Sequence, residues 1–256
     1  MSDPTWIPDD LPVPEQLGLR SKVLVVLRGI GLGIVAFLGL TALLLGRLIE
    51  KPIYGSARPW TPHFAVIFFR VLIRIVGLPI THKGSPMSEP GVIVANHSSW
   101  LDIFALNTAG PLFFVSKSEV SSWPVIGWLA RASGTVFISR DRKEAKSQRL
   151  IFEDRLRAGH KLLFFPEGTS SDGRRVLPFK PTLFAALFSP ELSGLSVQPV
   201  SVVYHTAQGQ DPRRYGWFGF MAFGPHIAQT LGNLNHGRIE IIWHAPLRVA
   251  DYADRK

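Results

Sequence analysis

Val92-Ile93-Val94-Ala95-Asn96-His97-Ser98-Ser99-Trp100-Leu101-Asp102 is the stretch from which the fold is read. The apolar run Val92–Ala95 predicts a short buried strand, and the polar cluster after it predicts a turn into a helix at Leu101. The pattern returns at Leu162-Leu163-Phe164-Phe165, followed by Pro166-Glu167-Gly168-Thr169-Ser170-Ser171. Two polar clusters at two strand ends suggest one cleft. His97 and Asp102 form a general-base arrangement: a carboxylate can hold one ring nitrogen protonated and leave the other free to take a proton. Taken alone, the spacing also suits a structural histidine that caps a loop.

Outward from this stretch, strands and helices alternate. Strands are predicted at Val92–Ala95, Leu112–Ser116, Thr135–Ser139, Leu162–Phe165, Val197–Tyr204 and Arg238–Trp243. Helices are predicted between them at Leu101–Ala109, Val125–Ala132, Arg142–Ala158 and Thr182–Phe188. The third helix ends where Gly159 can serve as a C-cap, with Phe152 and Leu156 one turn apart on its inner face. Such alternation argues an α/β domain with a mostly parallel sheet flanked by helices. Gly209 to Phe220 reads as a long loop whose arginines and aromatics suit either a lipid contact or an exposed surface loop.

The N-terminal third has a different composition. Residues 1–19 form an irregular acidic leader with Asp3, Asp9, Asp10 and Glu15 and several prolines. It lacks the basic start of a signal peptide, so secretion is not expected. Gly29–Gly46 is an uncharged stretch of 18 residues, about 27 Å as helix at ~1.5 Å per residue. That is the lower limit for a hydrocarbon core of ~30 Å; the alternative is a buried core helix. Gly29 and Gly33 make a Gly-x-x-x-Gly pair that would let another helix approach closely. Arg28 must snorkel or face a partner. In Phe64–Val76, Arg70 and Arg74 share one face of an otherwise apolar helix, which suits the headgroup layer. Residues 20–82 are therefore expected to be a membrane-anchoring helical hairpin, and 83–256 the catalytic domain. Flanking Arg20, Lys22, Arg47, Lys51 and Arg58 do not orient it.

Composition excludes some chemistry. The chain has no cysteine, so disulfides, thiol nucleophiles and Cys-based metal sites are ruled out. It has 28 Lys+Arg against 19 Asp+Glu, a net charge of +9. That excess suits an anionic lipid surface; no dense basic run or nucleic-acid motif occurs, so no nucleic-acid partner is expected. His63, His82, His160, His205, His226, His236 and His244 show no metal-ligand spacing. They are expected to be structural or exposed, and no metal or other cofactor is expected.

Four motifs resemble those of the membrane-bound lysolipid acyltransferases of the 1-acyl-glycerol-3-phosphate acyltransferase family. They are Asn96-His97-x-x-x-x-Asp102, Gly134-Thr135-Val136-Phe137-Ile138-Ser139-Arg140, Phe165-Pro166-Glu167-Gly168-Thr169 and Val197-Gln198-Pro199-Val200, in the family's order over about 100 residues. The resemblance implies acyl transfer from acyl-CoA or acyl carrier protein to a lysolipid hydroxyl. It implies His97 as base, Asp102 as its orienting acid, and an acceptor head bound by Asn96, Arg140, Glu167, Gly168, Thr169 and Ser170. It further implies a bacterial inner membrane, with the catalytic domain on the cytoplasmic side.

One departure bears on the acceptor. The third motif usually continues Arg-Ser, and here it continues Ser170-Ser171. A lysophosphatidate phosphomonoester is best met by arginine forks; Arg140, Arg174, Arg175 and Lys180 remain. The Ser170-Ser171-Asp172-Gly173 ending and the Tyr215-Gly216-Trp217 loop look like the lyso-ornithine lipid O-acyltransferase branch. Lysophosphatidate and lyso-ornithine lipid both stay open. Two other classes are weighed: a serine-type lipid hydrolase using Ser98 or Ser99, for which no Gly-x-Ser-x-Gly elbow exists, and a non-catalytic lipid-binding protein of the same fold.

Overall fold

The computed structural model describes residues 6–123, 126–138, 145–181, 184–188, 192 and 194–252. Strand β2 (Gly91–Ala95) lies inside the sheet, and all five of its residues are buried. Strands β1 (Ile80–Lys83), β3 (Phe113–Lys117), β4 (Val136–Ile138), β5 (Lys161–Phe164), β6 (Ser196–His205) and β7 (Arg238–Trp243) complete the order β1-β7-β6-β2-β5-β3-β4. Strands β6, β2, β5, β3 and β4 run parallel. β7 is antiparallel to β6 and parallel to β1, so the edge pair runs the other way. The two-residue β8 (Leu247–Arg248) lies antiparallel against the start of β6. The sheet is thus mixed but mostly parallel, as alternation predicts.

Both sheet faces are covered, which is why β2 and β5 read as unbroken apolar runs rather than alternating ones. Ile93, Ala95 and Leu163 pack on one face with α3 (Leu101–Asn107) and α6 (Phe223–Leu231). Val92, Val94, Leu162 and Phe164 pack on the other with Phe152 and Leu156 of α5 (Ala145–Arg157). Burying each of those two α5 side chains stabilises by about 1.5–3 kcal/mol. Gly159 ends α5 with φ +81°, the left-handed cap its position predicts. Residues Arg142–Glu144 of the expected helix lie outside the described residues. Helix α4 (Ile126–Ser133) matches its expectation, and Ala185–Phe188 forms a short 3-10 turn.

Helix α1 is longer than the uncharged stretch: it runs Leu19–Tyr54, 36 residues. It is long and apolar enough to cross a membrane by length and composition. It turns back into α2 (Thr61–Val76), making a hairpin. The turn is locked by buried Glu50, whose Oε1 accepts the Trp60 and Thr61 backbone N–H groups at 2.6 and 3.0 Å. A carboxylate there meets the unpaired donors of the α2 N-terminus. For a helix contact within the chain the Gly29/Gly33 expectation is corrected: among the described residues, added β-carbons there would meet nothing within 4 Å. Gly31, Gly39 and Gly46 face α2 instead, against Ile75, Phe68 and Phe64. The short-range motif named the right residue type but the wrong side of the helix.

Arg28 faces a protein partner. Its Nη1 donates to Leu231 O at 2.7 Å and Asn233 O at 2.9 Å, at the C-terminal end of α6. Arg70 donates to Thr108 O at the end of α3, so this side chain faces the domain rather than a headgroup layer. The sheet begins at Ile80, inside the segment expected to be anchor. The 209–220 segment is not a surface loop either: Tyr215 and Phe218 are buried. It carries the leader, with Arg214 paired to Glu15 at 2.6 Å.

Candidate active site

The site begins where β2 ends. Asn96 uses its amide on the neighbouring strand: Nδ2 donates to Val202 O at 3.0 Å and Oδ1 accepts Val202 N–H at 2.8 Å. These bonds fix the exit of β2 against β6. His97 follows, its ring stacked on Phe165 with centroids 4.0 Å apart and planes 12° apart. Its Nδ1 lies 2.8 Å from Asp102 Oδ2. The side chain is 19% exposed, and among the described residues no hydrogen bond engages Nε2.

Asp102 is fully buried in the first turn of α3. Oδ2 also accepts the N–H groups of Ser98 at 2.8 Å and Ser99 at 2.9 Å. Oδ1 accepts the Tyr204 phenol at 2.6 Å. A buried carboxylate needs such donors to offset its desolvation. Tyr204 was not anticipated as a site residue; its only sequence signal is its place at the end of a predicted strand. Burial and the nearby Asp102 carboxylate push its phenol well above the usual tyrosine range, so it stays a proton donor.

The third motif reaches the same place from β5. Gly168 turns the chain with φ +69°, a conformation glycine adopts without steric cost. Beyond the turn, Ser171 N–H donates to His97 O at 2.9 Å. Ser171, not Ser170, thus touches the His97 loop; Thr169 and Ser170 are partly exposed beside it. Glu167 is buried, and its Oε2 accepts Leu177 N–H at 2.8 Å, while among the described residues Oε1 has no partner at hydrogen-bond geometry. Burial pushes its carboxyl above the ordinary range, against the pull of the Leu177 and His97 backbone N–H groups. Arg140 lies outside the described residues.

A cavity of about 950 Å³ opens beside this cluster. Ser98, Glu167, Asp172, Arg175 and Arg213 give it polar groups; Val94, Phe179, Phe184, Leu187 and Val249 give it apolar ones. Both Val94 and Val197 line it, so it extends along the sheet face toward the start of β6. The His97 ring does not line it, although Asn96 and Ser98 on either side do. Ser98 Oγ is buried, has no partner among the described residues and makes no bond to His97. A serine relay through the imidazole is therefore not built.

The chain matches known proteins across this region. A family profile described as Acyltransferase matches residues 79–203, from the start of β1 into β6, ending one residue before Tyr204. A lyso-ornithine lipid O-acyltransferase of Rhodobacter capsulatus is 49% identical over 257 residues, covering 100% of this chain and 93% of the relative. One of the same description from Brucella abortus is 36% identical, covering 77% and 78%. The crystal structure of a 1-acyl-sn-glycerophosphate acyltransferase of Thermotoga maritima shares the fold, with TM-score 0.63 at 19% identity over 91% of this chain and 89% of that one. With a relative that similar along the whole chain, and the family's match spanning His97, Asp102 and Glu167, the protein belongs to the Acyltransferase family and is an acyltransferase.

Proposed function

We propose that the chain moves a fatty acyl group from an acyl thioester to the free hydroxyl of lyso-ornithine lipid. The observation that carries the chemistry is the His97–Asp102 pair, with Nδ1 held and Nε2 unengaged. The names of the two relatives above favour lyso-ornithine lipid over lysophosphatidate, and Ser170 in place of the family's arginine points the same way.

His97 Nε2 takes the hydroxyl proton as the acceptor oxygen attacks the thioester carbonyl. The tetrahedral intermediate collapses, breaking the carbon–sulfur bond, and the imidazolium returns the proton to the thiolate. Asp102 stabilises the imidazolium and fixes its tautomer. Asn96 and Tyr204 position this pair. Glu167, Gly168, Thr169 and Ser170, with Arg140, would hold the polar head, and the apolar end of the cavity suits an acyl chain. Acyl-CoA and acyl carrier protein both fit as donor, and no cofactor is needed for this chemistry.

The protein associates with membranes, and residues 20–79 are its anchor in this reading. Ile30, Phe37, Leu38, Leu45, Leu48 and Ile49 of α1 are exposed apolar side chains that lipid would cover. Arg28, and Arg58 beyond the other end of the helix, are both bonded to the catalytic domain. They are about 40 Å apart along the helix at ~1.5 Å per residue, so α1 lies alongside the domain. That favours an anchor seated against the bacterial inner membrane from the cytoplasmic side.

The test is acylation of a lysolipid panel by the purified protein with each thioester. Ornithine lipid should form, and His97→Ala should reduce turnover by at least ~10²-fold while the protein still folds and sediments with vesicles. More than a tenth of wild-type turnover in His97→Ala would sink the general-base assignment. Acylation of lysophosphatidate alone would overturn the acceptor.

A further inference from the structure

The 211–219 segment is fastened to the catalytic loop: Trp217 N–H donates to Ser98 O at 2.7 Å. Its Arg213 lines the cavity with 15% of the side chain exposed. Asp211 grips one edge of the guanidinium, Oδ1 taking Nε at 3.2 Å and Oδ2 taking Nη2 at 3.0 Å. Arg213 is thereby set in one orientation, and Nη1 is turned to a different carboxylate, that of Asp10, at 2.9 Å.

Asp10 is 73% exposed and belongs to a leader without regular secondary structure. The leader reaches the cavity at Arg175, which lines it: the Trp6 ring sits 5.2 Å from that guanidinium and 5.7 Å from Phe218 of the 211–219 segment. An exposed carboxylate from a distant part of the chain thus occupies the open edge of a pre-oriented arginine on the cavity wall.

The geometry points to Arg213 as the residue that receives the α-carboxylate of the acceptor's ornithine head, with Asp10 competing intramolecularly for the same edge. This rests on the lyso-ornithine reading above. In that lipid the ornithine α-amino group is an amide, so the head keeps one free carboxylate and one ammonium. A guanidinium edge matches a carboxylate. Asp211 and Asp10 both pair with Arg213 and Asp172 pairs with Arg175 at 3.1 Å, so of the cavity's arginines, Arg174 included, two are already balanced by carboxylates, and Glu167 lines the same cavity. A singly charged carboxylate suits that balance better than a phosphomonoester near about −2, which neighbouring carboxylates would repel. Head recognition by Arg213 is thus separate from the chemistry at His97, and the leader is an element of acceptor affinity.

The experiment compares lyso-ornithine lipid as free acid and as its methyl ester, with the full-length protein in mixed micelles. Wild type should prefer the acid by about tenfold in kcat/KM, mostly through KM, the size of one charge-assisted hydrogen bond. Arg213→Gln should bring that ratio to within about twofold of one, and Arg213→Lys should leave it in between. Asp10→Asn should lower KM for the acid and widen the ratio. If Arg213→Gln does not fold, the Lys and Asn variants decide by the same ratios. A wild type that acylates lyso-ornithine lipid while the acid/ester ratio is the same in every variant overturns this inference and spares the acceptor reading. A wild type that acylates neither form overturns the acceptor reading, and the role of Arg213 falls with it.

Discussion

Tyr204 Oη lies 2.6 Å from Asp102 Oδ1, although the two residues are 102 positions apart. The acid that orients His97 is thus itself oriented from β6, the strand that Asn96 also grips. Tyr204→Phe should lower kcat about tenfold, the loss of one hydrogen bond to a charged group. KM for both substrates should hold within about twofold, because the phenol serves the carboxylate and not the substrate. Steady-state kinetics check this; a loss as large as that of His97→Ala would place Tyr204 on the reacting atoms instead.

The hairpin makes a prediction that separates neighbouring glycines. A β-carbon on Gly39 would collide with the Phe68 ring, whereas one on Gly33 meets open space. Gly39→Leu should destabilise the folded protein by about 1–3 kcal/mol, the usual cost of overpacking, and Gly33→Leu should not. Thermal unfolding in detergent of both variants is the measurement; equal melting temperatures would mean that the α1–α2 seam does not limit stability.

Stability should fall in mild acid. Burial holds His160, His226 and His236 at about 4, well below an ordinary histidine. The unfolded chain gains these protons as pH drops through about 6.5, and the folded chain only near 4, so stability is lost progressively between those limits. Above pH 7 the three are neutral in both states and contribute no pH slope. Tm at pH 5 should lie at least about 5 °C below Tm at pH 7.5. A flat profile over that range would show that these rings are hydrated in solution.

Position 170 offers a change of acceptor preference. Ser170 is partly exposed and adjoins Ser171, which is bonded to the His97 loop. Ser170→Arg should shift relative kcat/KM about tenfold toward lysophosphatidate, the gain of one charge-assisted fork. Competition between the two lysolipids in one micelle preparation reads the ratio directly. An active variant with an unchanged ratio would mean that this side chain faces away from the acceptor head.

The sheet's central strands were legible because burial on both faces leaves uninterrupted apolar runs, as at Val92–Ala95 and Leu162–Phe164. His97 and Asp102 were legible because both belong to one turn, close in sequence. Tyr204 was not, because its partner comes from another strand and no local pattern marks a strand-end tyrosine as a donor. β1 was missed for a related reason. Ile80-Thr81-His82-Lys83 is an exposed edge, with one apolar residue, and is a strand only because β7 pairs with it. The 209–220 segment looked like solvent-facing loop by its glycines and charges, yet Tyr215 and Phe218 are core and its arginines hold the leader. Asn96 was expected at the acceptor head; its amide is bonded to Val202, a partner that only the strand register reveals.

The pairing of β1 with β7 ties the segment that follows the hairpin to a strand formed near the end of the chain. Among the described residues β1 has no other strand partner, and Arg28 caps α6, which directly precedes β7. During synthesis, at about 5–20 residues per second, the hairpin leaves the ribosome seconds before α6 and β7 exist. Until then the Arg28 guanidinium has no α6 end to bind. With that hairpin as the proposed anchor, the enzyme would assemble in place: the catalytic domain would close onto a segment already in lipid, and active sites would form only at the membrane surface.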